Sequence, residues 1–108
     1  MSVHRISESA LTRLQNWYSS QCDEDWEHSH GVKIDTLDNP GWMLTIDLVD
    51  TELASRSMQR EIVQRTKENW IQREIGDGKY LACGGPHNLE EMVEAFLSFA
   101  EDQKHREE

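Results

Sequence analysis

Asp38-Asn39-Pro40-Gly41 lies between two stretches of alternating apolar residues, an arrangement that leaves little besides a β-hairpin. Val32 and Ile34 alternate with Lys33 and Asp35 on one side. Trp42, Leu44, Ile46 and Leu48 alternate with Met43, Thr45 and Asp47 on the other. Alternation with period two sends the apolar set to one face of a sheet. If Asp38 pairs with Trp42, then Thr36 faces Leu44, Ile34 faces Ile46 and Val32 faces Leu48. That register sets Lys33 opposite Asp47 as a cross-strand ion pair. Proline presets its own φ, and Gly41 is expected to take the positive φ that closes the turn.

The remaining elements follow from periodicity. Leu11, Leu14, Trp17 and Tyr18 form an apolar stripe that predicts a first helix from about Ser7 to Ser20. Gln21 to His30 fits neither period and reads as a loop. Thr51 to Thr66 is ambiguous: Ala54, Met58 and Ile62 fit a helix, whereas Glu61–Arg65 fits a short strand. Asn69–Ile75 and Lys79–Cys83 form a second hairpin around Gly76-Asp77-Gly78. After Pro86, Asn88 is the expected N-cap of a last helix, with Glu91 completing a capping box. Leu89, Met92, Val93, Phe96, Leu97 and Ala100 line one face of that helix. The tail from Glu101 to Glu108 is expected to fray. The chain of 108 residues is then one α+β domain in two layers, with an ordered core over about 7–100. It comprises an N-terminal helix, an antiparallel sheet of four to five strands and a C-terminal helix on one sheet face. The other face is expected to be polar and open to a partner.

The formal net charge is −10, and its distribution is uneven. Between Gln21 and Glu52 nine carboxylates accompany one lysine, Lys33. From Ser55 to Arg73 the balance reverses, with Arg56, Arg60, Arg65, Lys67 and Arg73 against Glu61 and Glu68. An acidic field repels nucleic acid and membrane surfaces and attracts basic proteins. No apolar run is long enough to span a bilayer, and the N-terminus lacks a signal-peptide pattern. Cys22 and Cys83 read as free thiols in a reducing cytoplasm.

The segment Trp17 to Trp42 holds three of the four tryptophans beside Asp23, Glu24, Asp25 and Glu27. Its elements Trp17-Tyr18, Gln21-Cys22-Asp23, Asp25-Trp26-Glu27-His28, Gly31-Val32-Lys33-Ile34 and Thr36-Leu37-Asp38-Asn39-Pro40-Gly41-Trp42 resemble the immunity 53 family of bacterial polymorphic toxin systems. The likeness continues through Ile46-Asp47-Leu48, Asn69-Trp70-Ile71, Gly84-Gly85-Pro86 and Asn88-Leu89-Glu90-Glu91, and spans nearly all of the chain except its ends. The resemblance implies a small cytosolic antitoxin of α+β fold that binds and blocks a toxin encoded next to it, and it favours a loop followed by a strand over Thr51 to Thr66. The chain departs from the family pattern in its two ends and its more basic Arg56–Arg73 region.

Three classes of function stand at this point. In the first, an immunity protein occludes a basic toxin, for instance a nuclease with a basic groove. Trp26 is then a desolvated anchor, and Asp23, Glu24, Asp25, Glu27, Asp35 and Asp47 supply charge. In the second, a small enzyme uses Cys83, sulfurtransferase-like before a helix, or Glu27 with His28 as acid and base. The alternative for Glu27 is a carboxylate that fixes its loop by accepting backbone hydrogen bonds, and this is preferred. The third is a structural or regulatory domain without a toxin. His28, His30 and His87 do not have a zinc-site spacing, so neither a metal nor a cofactor is expected.

Overall fold

A computed structural model describes residues 8–106 and places the hairpin strands β1 (Val32–Leu37) and β2 (Gly41–Asp47) where the alternation puts them. The register differs from the expected one by two residues. Leu37 pairs with Gly41, Thr36 with Trp42, Ile34 with Leu44 and Val32 with Ile46. The loop is therefore Asp38-Asn39-Pro40, with a cis peptide between Asn39 and Pro40. A shift of two keeps every side chain on its expected face but changes its neighbour. Lys33 stands opposite Thr45, not Asp47.

Gly41 does not adopt a positive φ, so the reason first given for it is corrected. Glycine is required there because a Cβ would collide with the backbone oxygen of Gly84 on the neighbouring strand. Positive φ is instead found at Asp77 (54°) and Gly78 (75°), the two loop residues joining β4 (Trp70–Gly76) to β5 (Lys79–Gly84). That is the backbone of a two-residue hairpin whose twist matches its strands. Strand β3 (Met58–Gln64) settles the ambiguous region as a loop followed by a strand.

Among the described residues the five strands form one antiparallel sheet in the order β1-β2-β5-β4-β3. The chain leaves β2, crosses to the far edge and returns as a meander to pair β5 with β2. Leu53, fully buried, pins this crossing segment to the core. Leu44 and Ile46 of β2, Leu48 just after it, and Tyr80 of β5 are also completely shielded in the core under helix α3 (Leu89–Arg106). Phe96 of α3 meets Tyr80 edge-on, with ring centres 5.0 Å apart, and Trp17 at the same distance.

Helix α1 (Ala10–Gln21) starts at Ser9, whose Oγ accepts the Thr12 N–H at 3.1 Å. Ser7, the expected start, lies outside the described residues. The buried side of α1 carries Ala10 and Leu14, whereas Leu11 is 59% exposed and Tyr18 39%. The expected stripe is thus rotated, because α1 leans on α3 and not squarely on the sheet. Arg13 fastens the two helices, donating to Glu94 at 2.9 Å and to Glu101 at 3.0 Å.

Asn88 precedes α3 as expected, but its side chain does not cap the helix. Its Oδ1 accepts the Trp70 N–H at 3.3 Å, and its Nδ2 donates to Asn69 and to Glu91 at 3.0 Å. Asn88 is buried because it ties the helix start to β4.

The open sheet face is not uniformly polar. Half-buried Met43, Leu81 and Cys83 occupy its middle, with Thr45 and Gln72, and charged residues stand around them.

Gly41→Val should lose about 1–3 kcal/mol through overpacking, which for a chain of this size lowers Tm by roughly 5–20 °C. A thermal melt followed by circular dichroism measures it, and an unchanged Tm would refute the close approach of β2 to β5.

Candidate partner-binding surface

The segment between α1 and β1 is held by its own carboxylates. Asp23 Oδ1 accepts the N–H groups of Asp25 at 3.0 Å and Trp26 at 2.9 Å. Glu27 reaches back, and its two oxygens accept the N–H groups of Asp23 and Glu24, each at 3.0 Å. Four backbone donors are satisfied by two side chains, and a short helix, α2 (Trp26–Ser29), forms where a plain loop was expected. Glu24 takes φ of 77° in this turn. The preferred reading of Glu27, a carboxylate that fixes its loop, matches this geometry.

Trp26 is only 4% exposed. Its Nε1–H donates to the Val49 carbonyl at 2.8 Å, and its ring packs against Trp17, Tyr18 and His30. It faces inward, so the expectation of a surface anchor is corrected: Trp26 anchors the acidic turn to the body of the protein. Trp17 adds a second tie, donating from Nε1 to Glu52 at 3.0 Å.

Asp47 closes the far side of the same region. It accepts the Gly31 N–H at 2.9 Å and the Lys79 ammonium at 2.6 Å, with His30 Nδ1 at 3.9 Å. Burial pushes its carboxyl upward, but the bonds from Lys79 and Gly31 outweigh that and hold it below the usual value. Glu27, Asp35 and Asp47 border one open depression of about 510 Å³ on the sheet face, together with His28, Lys33 and Met43. Asp23, Glu24 and Asp25 are exposed on the adjoining turn.

The basic region is differently arranged. Arg60 pairs with Glu74 at 3.1 Å, Arg73 with Glu61 at 3.0 Å, and Arg65 with Glu91. Arg73 also donates to the Tyr80 hydroxyl and the Ala95 carbonyl. No cation pairs with Asp23, Glu24, Asp25, Glu27 or Asp35 among the described residues. The sequence showed both charge blocks but not this difference. Pairing of Arg73 with Glu61 and of Arg60 with Glu74 depends on the β3–β4 register, which alternation alone does not supply.

Cys83 lies half-buried on the open face, where burial first and then Glu74 push its thiol upward, the opposite of an activated nucleophile. The amides that follow it are engaged: Gly85 N–H donates to Trp70 O and Asn88 N–H to Gly85 O, both at 3.1 Å. His87 borders a different depression beside Arg65 and Asn69, apart from His28 and His30. Among the described residues no three His, Cys, Asp or Glu side chains converge as a metal ion requires. No helix of the described residues is long and apolar enough to cross a membrane.

These features define a small α+β protein with an acidic surface set rigidly on one end of an open sheet. Its sequence matches the family described as Immunity protein 53 over residues 11–101, and the chain belongs to that family. Membership gives it the role of an immunity protein, one that binds a cognate toxin. No curated protein and no solved structure matches the chain.

Two measurements check this geometry. The amide bonds from Trp26 and Asp25 hold the Asp23 carboxyl below its ordinary value. The stability it contributes is present above the unfolded-state pKa and is lost as pH falls through the lower folded pKa. Carboxyl NMR titration should place the Asp23 midpoint below that of an Asp model peptide, and a midpoint at or above it would contradict the turn. Cys83 should react with iodoacetamide at neutral pH more slowly than a free cysteine peptide; faster reaction would return the thiol to consideration as a nucleophile.

Proposed function

We propose that this protein neutralises a basic toxin encoded beside it by laying its acidic end over the toxin's basic surface. The observation that carries this reading is the asymmetry of ion pairing. Arg60, Arg65 and Arg73 are bound to carboxylates of their own chain, so the basic block is largely neutralised from within. The carboxylates around α2 and β1 have no such partner among the described residues, so their field acts outward. Complementary charge speeds association and orients the encounter. A nuclease with a basic substrate groove is the toxin class that fits best, because covering that groove blocks nucleic acid from the site. The acidic field would also keep the protein itself away from nucleic acid and anionic membranes. Its place of action is then the cytoplasm, where the toxin would act.

Within this reading Glu24 and Asp25 meet the toxin directly, and Asp35 stands at the border of the neighbouring depression. Asp23 and Glu27 contribute charge while holding the turn, Asp47 holds its far end with its charge met by Lys79, and Trp26 supports them from inside. Half-buried Met43 and Leu81 on the open face supply apolar contact next to the carboxylates.

Co-expression with the product of the adjacent gene, scored by pull-down and growth rescue, tests the immunity reading. The surface is tested by Glu24→Lys with Asp25→Lys, since neither side chain accepts a backbone hydrogen bond in the turn. Toxin association should slow by about tenfold or more at low salt, with folding intact. Unaltered association and rescue would exclude the acidic turn as the contact.

A further inference from the structure

The two edges of the sheet are finished differently. Edge strand β3 is interrupted by a register shift between Met58 and Glu61, and Arg60 lies along it, paired with Glu74. Bulges and charges are the usual means of keeping an edge from pairing. Edge strand β1 has neither a bulge nor a proline. Its register with β2 is regular through six pairs, and Lys33, Ile34, Asp35 and Thr36 are all exposed.

The direction of its free backbone groups follows from one hydrogen bond. Asp47 N–H donates to Gly31 O at 3.0 Å. Hydrogen-bonded pairs recur every second residue along an antiparallel ladder. Odd-numbered residues of β1 therefore bond to β2, and the N–H and C=O groups of Val32, Ile34 and Thr36 point outward. Apolar surface lies beside this edge on the helix side. Leu11 and Ile34, 59% and 39% exposed, border a notch of about 220 Å³. Tyr18 and Val32 border a second, of about 290 Å³.

We propose that β1 is a homodimer interface, pairing antiparallel with β1 of a second copy about a twofold axis at Ile34. Such an axis makes Ile34 and Ile34 of the second copy a hydrogen-bonded pair, using the outward groups. Val32 then faces Thr36 of the second copy. On the open face Lys33 stands directly opposite Asp35 of the second copy, and Asp35 opposite Lys33, giving two cross-strand ion pairs. The strand is thus complementary to itself in hydrogen bonding, charge and apolar contact, as an isologous interface requires. The two five-stranded sheets become one continuous sheet with both acidic turns on the dimer.

The experiment is sedimentation equilibrium of the full chain and of charge variants from micromolar to millimolar concentration. The unaltered chain should dimerise. Lys33→Asp and Asp35→Lys should each weaken the dimer by about tenfold or more, since both pairs become repulsions. The double exchange Lys33→Asp with Asp35→Lys should restore it. An equimolar mixture of the two single variants should form heterodimers, because each repulsion becomes an attraction, and this result depends on correctly folded partners. A chain monomeric at every concentration, or a dimer indifferent to all four forms, would overturn the proposal. So would a monomer whose toxin binding alone is lost with Lys33→Asp, which would seat a toxin segment on this edge.

Discussion

Strand β2 sits between β1 and β5, and its inner residues Leu44 and Ile46, continued by Leu48 just past its end, are sealed in the core under α3. Burying that row fixes which way the strand faces, because moving it by one residue would exchange every apolar side chain for Met43, Thr45 or Asp47. Everything on the open face depends on this choice. Asp47 is directed outward, where it receives Lys79 and the Gly31 amide. The Gly31 bond in turn sets the end of the acidic segment, whose other end is fixed by Trp26 and Val49. The acidic surface is held in place by a hydrophobic row on the reverse side of the sheet.

Period-two alternation made the hairpins, their faces and the two-layer arrangement legible from the residues alone. It did not give the register, since any even shift satisfies it. Hence Lys33 was matched with Asp47, when Lys79, remote in sequence, is the true partner. The need for glycine at position 41 comes from its close approach to Gly84, on a strand that joins β2 only after the fold closes. Helix α2 escaped because four residues are too few for a periodic signal. Trp26 was misplaced for a related reason: an acidic neighbourhood says nothing about whether a ring points in or out. Asn88 carries the residue type of a cap, but the adjacent backbone of β4 competes for its side chain.

Charge offers a parallel case. The acidic and basic blocks are plain in the sequence, and composition alone makes them equivalent as contact surfaces for partners of opposite sign. Folding distinguishes them. Arg60 of β3 and Arg73 of β4 find glutamates across the strands, Arg65 just past β3 finds Glu91 on α3, and Arg73 is further occupied by Tyr80 and Ala95. Exposed pairs of this kind add little stability. Their effect is on the external field, which they cancel on one flank of the sheet while the other remains negative.

The acidic turn divides labour within five consecutive residues. The side chains of Asp23 and Glu27 accept backbone amides, whereas the side chains of Glu24 and Asp25, between them, accept none. Two of the positions write the shape of the turn and two write what it displays. Under the proposed toxin contact, a lineage confronted with an altered adversary can revise the displayed pair without rebuilding the scaffold, and recognition can drift while architecture stays still.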